Sequence, residues 1–344
     1  MTQFIQLHFL TSYPPANLNR DDLGNPKTAR LGGVERLRVS SQSLKRAWRT
    51  SEAFQKEFSG SIGTRTRRLG IEVFEALKAK GVAEKKAKDW AEEIAKEYGA
   101  LRKKAPLEIQ QPVHVAPEER KTLDDLVSKL AEEKRGPKKE ELESLLHDHT
   151  AVDIAMFGRM LASKTEFNGE AAVQVAHAIG VHASAVEDDY FTAVDDLNRN
   201  GPEAAYVGEA GFAAAVFYQY VCIDRDLLKK NLGNVEALTE KAIKTLVKTA
   251  LTVGPTGKQN SFASRAYAHY ALVEKGTQQP RSLSLAFVRP VNGADYAQEA
   301  ITALSTVRKN MDMVYGACSD AHEEFNVLTG QGSLEALLQF AAKE

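Results

Sequence analysis

Between positions 20 and 49 the chain carries eight Lys or Arg residues (Arg20, Lys27, Arg30, Arg36, Arg38, Lys45, Arg46, Arg49) against three acids (Asp21, Asp22, Glu35). The whole chain has a formal net charge of only −1, so this basicity is local. Leu37 and Val39 alternate as a strand would, and Ser40 and Ser41 follow as N-cap residues whose hydroxyls accept from the free amides of a helix start. On the predicted helix Leu44, Ala47, Trp48 and Ser51 share one face, while Gln42, Lys45, Arg46 and Arg49 point the other way. A helix start offers amides and the positive dipole end to an anion, and cations one and two turns further on extend that into a track for a phosphate backbone. Ordinary exposed helices intersperse Glu with Lys for mutual support. Here no acid occurs between Arg36 and Arg49, which favours anion binding over a merely solvated face.

Other residues could do different chemistry. Asp21 and Asp22 beside Arg20 can hold Mg²⁺ or act as a general acid and base, although a turn braced by ion pairs needs no such role. His147, Asp148 and His149 are metal-ligating types at a charged helix end, without a further ligand at a recognisable spacing. Phosphate-binding P-loop, nucleophile-elbow and zincin motifs are all absent. The expectation is therefore no catalytic residue, no metal and no cofactor. Arg159 and Met160 set a cation beside a long apolar side chain that either fills a core gap or meets a ligand. Phe191 and Thr192 sit in an acidic segment with little core to join, as a wedge against bases, a contact with a neighbouring copy, or a small local cluster. Lys258 and Gln259, following Gly254 and Pro255, offer ammonium and amide donors on a turn.

These residues need a frame. At 344 residues, 43% hydrophobic and 26% charged, the chain has ordinary globular composition. Its two cysteines, Cys222 and Cys318, form no C-x-x-C pair, which points to a reducing compartment. Residues 2–5 lack signal-peptide character, and the apolar run 211–223 is interrupted by Gln219 and too short for the roughly 20 residues of a membrane helix. A cytoplasmic location away from membranes follows as the expectation. Residues 4–10 read as a half-buried strand with Gln6 and His8 outward. Residues 61–149 read as helical, with stripes at Ala87, Trp90, Ala91, Ile94 and Tyr98 and at Leu123, Leu126, Val127 and Leu130. Strands are expected again at 152–157, 173–181, 211–223, 267–273 and around Leu283, Leu285 and Phe287, with helices over 235–251 and from Asp295 and Ser333. This order predicts an α+β chain: a ferredoxin-like, RNA-recognition-motif-like core with an inserted helical domain and a projecting segment.

Residues 18–22, the Ser40-Ser41-Gln42-Ser43-Leu44-Lys45-Arg46-Ala47 string, residues 152–160 and the Phe191-Thr192-Ala193-Val194-Asp195-Asp196-Leu197 string together resemble the backbone subunit of the type I-E CRISPR Cascade complex, of the RAMP superfamily. The resemblance extends to about Lys258. It implies a palm (1–58 and 151–344), a helical finger domain (59–150) and a thumb at about 186–208. It implies no enzymatic activity and several copies polymerised along a CRISPR RNA, whose exposed segments pair with a target DNA strand. The implied partners are further copies of the chain and the large, small, guide-end-capping and guide-processing subunits. The RNA-binding positions it implies are Lys27, Gln42, Lys45, Arg46, Arg49, Met160, Phe191 and Thr192, to which the reading of the residues themselves adds Arg20, Ser40, Ser41, Arg159, Lys258 and Gln259. Related type III subunits cut RNA with an aspartate after the first strand, so a metal-dependent endoribonuclease using Asp21 or Asp22 is the alternative.

Overall fold

The strand Phe4–Ala16 is buried along both of its faces, as are few strands that alternate polar and apolar residues. Gln6 and His8 were expected to face water. Instead the Gln6 carbonyl accepts from the Tyr220 hydroxyl at 3.0 Å and the Arg281 amide at 2.8 Å, and His8 Nδ1 meets the Tyr218 hydroxyl at 3.0 Å. Buried polar groups survive when they are paired, and here each has a partner waiting on a neighbouring element.

The computed structural model describes residues 2–147, 149–161, 164–194 and 204–344. The chain forms two compact units, one of Met1–Phe54, Gln174–Asp224 and Glu240–Glu344, the other of Gln55–Val173 and Arg225–Thr239. The first unit is built on a sheet whose strands run, edge to edge, Ala321–Asn326, Ala268–Gly276, Phe4–Ala16, Ala204–Asp224, Ala178–Gly180, Val34–Val39 and Thr28–Leu31. Neighbours pair antiparallel. The strand Glu187–Val194 leaves this path and pairs with the first half of Ala204–Asp224 as a hairpin arm. Leu10, Val216, Tyr218, Tyr270 and Leu272 of the sheet form one core with Phe287, Ala300, Ile301 and Leu304, the last three from the helix Tyr296–Tyr315.

The second unit packs the helices Leu69–Ala79, Glu84–Tyr98 and Pro117–Glu133 around Leu77, Trp90, Ile94, Leu123 and Leu130, the expected stripes. Two short two-stranded sheets, Thr64–Thr66 with Val113–Val115 and Leu101–Arg102 with Ala105–Ile109, interrupt its helical character.

Three expectations are corrected, and one strand is added. Residues Val152–Phe157 form a helix rather than a strand, since a short apolar run buried all round has no period to betray which it is. The long strand over 173–181 is two short ones, Val173–Val175 and Ala178–Gly180, separated at His177. Ser284–Phe287 is a 3₁₀ turn. The edge strand Ala321–Asn326 had been invisible because its residues are mostly polar.

Candidate nucleic-acid interface

The loop 17–27 is held rigidly by its own polar side chains. Fully buried Asn17 donates from Nδ2 to the carbonyls of Gly24 at 2.9 Å and Gly211 at 2.8 Å. Asp21 Oδ1 accepts from the amides of Leu23 and Asn25, both at 2.9 Å. The Lys27 amide donates to the Asn19 carbonyl at 2.8 Å, while Asn19 Oδ1 accepts from the Ser40 amide at 2.9 Å. The last bond fastens the loop to the start of the basic helix Ser41–Arg49.

That helix forms for the local reasons its sequence suggests. Ser40 is its N-cap, with Oγ accepting from the Ser43 amide at 3.3 Å, and Leu44 and Trp48 are buried beneath it. Ser40 and Ser41 are themselves buried, and the Ser40 hydroxyl is occupied as the cap the sequence suggests. Arg46 and Arg49 lie in the last turn, where they complement the negative end of the dipole, and the first turn has no acid.

A third segment joins these two. Trp48 Nε1 donates to the Val253 carbonyl at 3.2 Å, which seats residues 253–262 beside the helix. A Cβ on Gly257 would stand 2.5 Å from the Leu18 carbonyl oxygen, so only glycine lets this segment lie directly on the backbone of the loop. Lys258 follows in the left-handed region, at φ +46°.

The result is one face on the first unit. Arg20, Gln42 and Arg46 are exposed on it, and Lys27, Lys45, Arg49, Lys258 and Gln259 are half-buried with their stems covered. Among the described residues none of Arg20, Lys27, Arg46 and Lys258 pairs with an acid. Burial lowers the Lys45 ammonium below its usual pKa. Arg38, on the outward side of Val34–Val39, adds to this face with its Nη1 2.8 Å from His177 Nδ1. A guanidinium can only donate, so Nδ1 accepts and the imidazole is neutral. Burial, with Arg38 and Lys27 nearby, holds the His177 pKa below its ordinary value.

Two cations of the sequence pattern are not available to a ligand. Arg36 is wholly buried and donates to the carbonyls of Gly180 at 3.0 Å and Phe287 at 3.1 Å. Arg159, expected at the RNA, is corrected to an internal residue of the second unit: Nη1 bonds both oxygens of buried Glu119, at 2.7 and 2.9 Å, and Nη2 donates to the Phe167 carbonyl at 2.9 Å. Next to it Met160 is 79% exposed, too much for a core gap-filler. Phe191 and Thr192 are exposed on the hairpin arm opposite Gly208 and Val207. Asp195, Asp196 and Leu197 of the same motif lie outside the described residues, as does Asp148. His147 Nε2 lies 3.1 Å from the Thr122 hydroxyl, and among the described residues no cluster of three His, Cys, Asp or Glu is arranged to hold a metal.

The sequence counts Arg38 among its local cations without making it a site residue, and it gives no role to Asn19, His177 or Gly257. Arg38 was readable, since it alternates with buried Leu37 and Val39; the others carry no local signal.

A family model described as Cas_CT1975, CT1975-like protein, matches residues 5–343. The fold is similar to a chain of the solved structure "CRISPR RNA-guided surveillance complex, pre-nicking", at 28% identity and TM-score 0.83, covering 98% of this chain and 100% of that one. It is also similar in fold to a chain of a "CRISPR RNA-guided surveillance complex", at 24% identity and TM-score 0.73, covering 98% and 99%. Among curated proteins none matches significantly.

Proposed function

The chain belongs to the CT1975-like protein family, and from that premise we propose that it is a non-enzymatic RNA-binding scaffold subunit of a CRISPR surveillance complex, of type I-E. Copies polymerise along a CRISPR RNA in the cytoplasm, beside the other Cascade subunits, and present the guide in short segments for pairing with target DNA. The observation that carries this reading is the convergence of loop 17–27, the basic helix and the 253–262 segment on one face, where Arg20, Lys27, Arg46 and Lys258 pair with no acid among the described residues. A phosphate backbone matches such a face. The palm is read as ferredoxin-like. Its four central strands, Ala268–Gly276, Phe4–Ala16, Ala204–Asp224 and Ala178–Gly180, stand in the order four-one-three-two of their appearance in the chain, which supports that reading. The hairpin arm is read as the thumb, with Phe191 and Thr192 toward the bases.

Asp21 supports the scaffold over the nuclease. Its Oδ1 braces the loop through two backbone amides, an arrangement that holds Lys27 in place rather than leaving a pair of carboxylates open for a metal. Guides of increasing length provide the test: the number of copies bound per RNA, measured by native mass spectrometry, rises stepwise with length. One copy per RNA at every length refutes the scaffold. Regularly spaced cuts in complementary RNA with Mg²⁺, abolished by Asp22→Ala, would establish the ribonuclease instead.

A further inference from the structure

At one end of the sheet edge formed by Ala268–Gly276 and Ala321–Asn326 lies a cleft of about 440 Å³, lined by Leu251, Tyr267, His269, Phe325, Val327 and Leu334 among others. Its rim is apolar and open to solvent, with Tyr267 72% and Val327 62% exposed. His269 is only 8% exposed, and among the described residues neither ring nitrogen has a hydrogen-bond partner. An imidazole taken out of water with both nitrogens idle is a cost that native structures seldom carry without a partner in mind. Burial also lowers its pKa, so the ring is neutral and offers one donor and one acceptor.

The lining contains no Lys or Arg. A nucleotide would bring a phosphate without a counter-charge, so a protein side chain is the better occupant: an aromatic ring ending in a hydroxyl. The chain itself displays one. Met313, Val314 and Tyr315, at 77%, 74% and 81% exposure, project from the end of the helix Tyr296–Tyr315. Three consecutive large apolar residues in water mark a contact surface. This helix starts at Asp295, close enough to His269 to influence its charge, and runs past the Arg308–Glu274 pair toward the far end of the same edge. Its 20 residues span about 30 Å.

We propose that the Met313–Val314–Tyr315 projection of one copy docks in the His269 cleft of the next, with the Tyr315 ring between Tyr267 and Val327 and its hydroxyl on the idle imidazole. Because projection and cleft lie at opposite ends of one unit, the contact is heterologous: it leaves one free end of each kind and repeats along a line instead of closing a pair. It rests on the scaffold reading for its purpose, since it would add copies in sequence along a guide, but its geometry stands apart from the RNA face.

The test is photo-crosslinking of the full chain carrying p-benzoylphenylalanine in place of Tyr315, with and without guide RNA. Copy-to-copy crosslinks mapped to residues 325–334 or 267–269, in either condition, support the contact. Crosslinks to RNA or to other segments, or none in both conditions, overturn it. As a second measure, Tyr315→Ala and Val327→Asp, both at exposed positions, should each raise about tenfold the protein concentration at which a second copy joins an RNA already carrying one, with first-copy affinity unchanged. Equal second-copy binding by both variants and wild type overturns the proposal. If wild type never places two copies on one RNA, the scaffold reading fails, and the RNA-free crosslink still decides the contact.

Discussion

Lys27, Arg46 and Lys258 come from three different segments that tertiary contacts bring to one face, and none of them has an acid partner among the described residues. Replacing them together by glutamine keeps much of their aliphatic packing and their hydrogen-bonding capacity while removing three charges. Each phosphate neutralised on a single strand contributes about 0.7 to the slope of log affinity against log salt, so three lost contacts flatten the slope by about 2.1. Over a fourfold salt range, roughly 50 to 200 mM, that is about an 18-fold difference in how much affinity is lost, wild type losing more. Fluorescence anisotropy with a labelled single-stranded RNA, repeated at four or five salt concentrations, measures it directly. The melting temperature should stay within a few degrees, because no buried group is changed. A triple variant with an unaltered slope would refute this face as the RNA site, whatever its affinity at one salt concentration.

Other outcomes follow from the same structure. Arg159→Ala should destabilise the protein by about 3–5 kcal/mol, since it strands the buried Glu119 charge, yet leave the salt slope of RNA binding unchanged; denaturant unfolding and anisotropy together check both halves. Asn19→Ala should loosen the loop from the helix and weaken RNA binding several-fold at a stability cost of about 0.5–1.5 kcal/mol; an affinity equal to wild type would show that the loop needs no such tie. Acidification should lower stability in two stages. The His8 pKa is depressed by burial despite Glu274 at 3.3 Å, so the unfolded state takes up a proton that the folded state refuses once pH falls below the ordinary 6.5, at up to about 1.4 kcal/mol per pH unit. Burial alone would raise the Glu274 carboxyl, but hydrogen bonds from His8 and Arg281 hold it well below the usual range, so a second loss begins as pH drops through about 4.5. Melting temperatures that stay flat from pH 7.5 to 5.5 would contradict the first stage.

What the chain declared by sequence alone was whatever depends on neighbours within a turn or two. The basic helix was legible because its Ser40 cap, its buried Leu44 and Trp48 and its outward cations are set by a 3.6-residue period. The helical stripes of the second unit were legible for the same reason. Tertiary structure decided everything that turns on who is buried against whom. Arg36 and Arg159 look like Arg46 in a list of charges, but a carbonyl cradle on one and Glu119 on the other take them inside. Gln6 and His8 alternate like an exposed face and lie in the middle of a covered sheet, because partners 210 residues or more away satisfy them. The convergence at the proposed RNA face rests on a tryptophan reaching the Val253 carbonyl and a glycine lying on Leu18, contacts that span more than 200 positions. Periodicity reports local geometry; burial and long-range pairing are properties of the folded chain, and they choose which of its charges remain for a ligand.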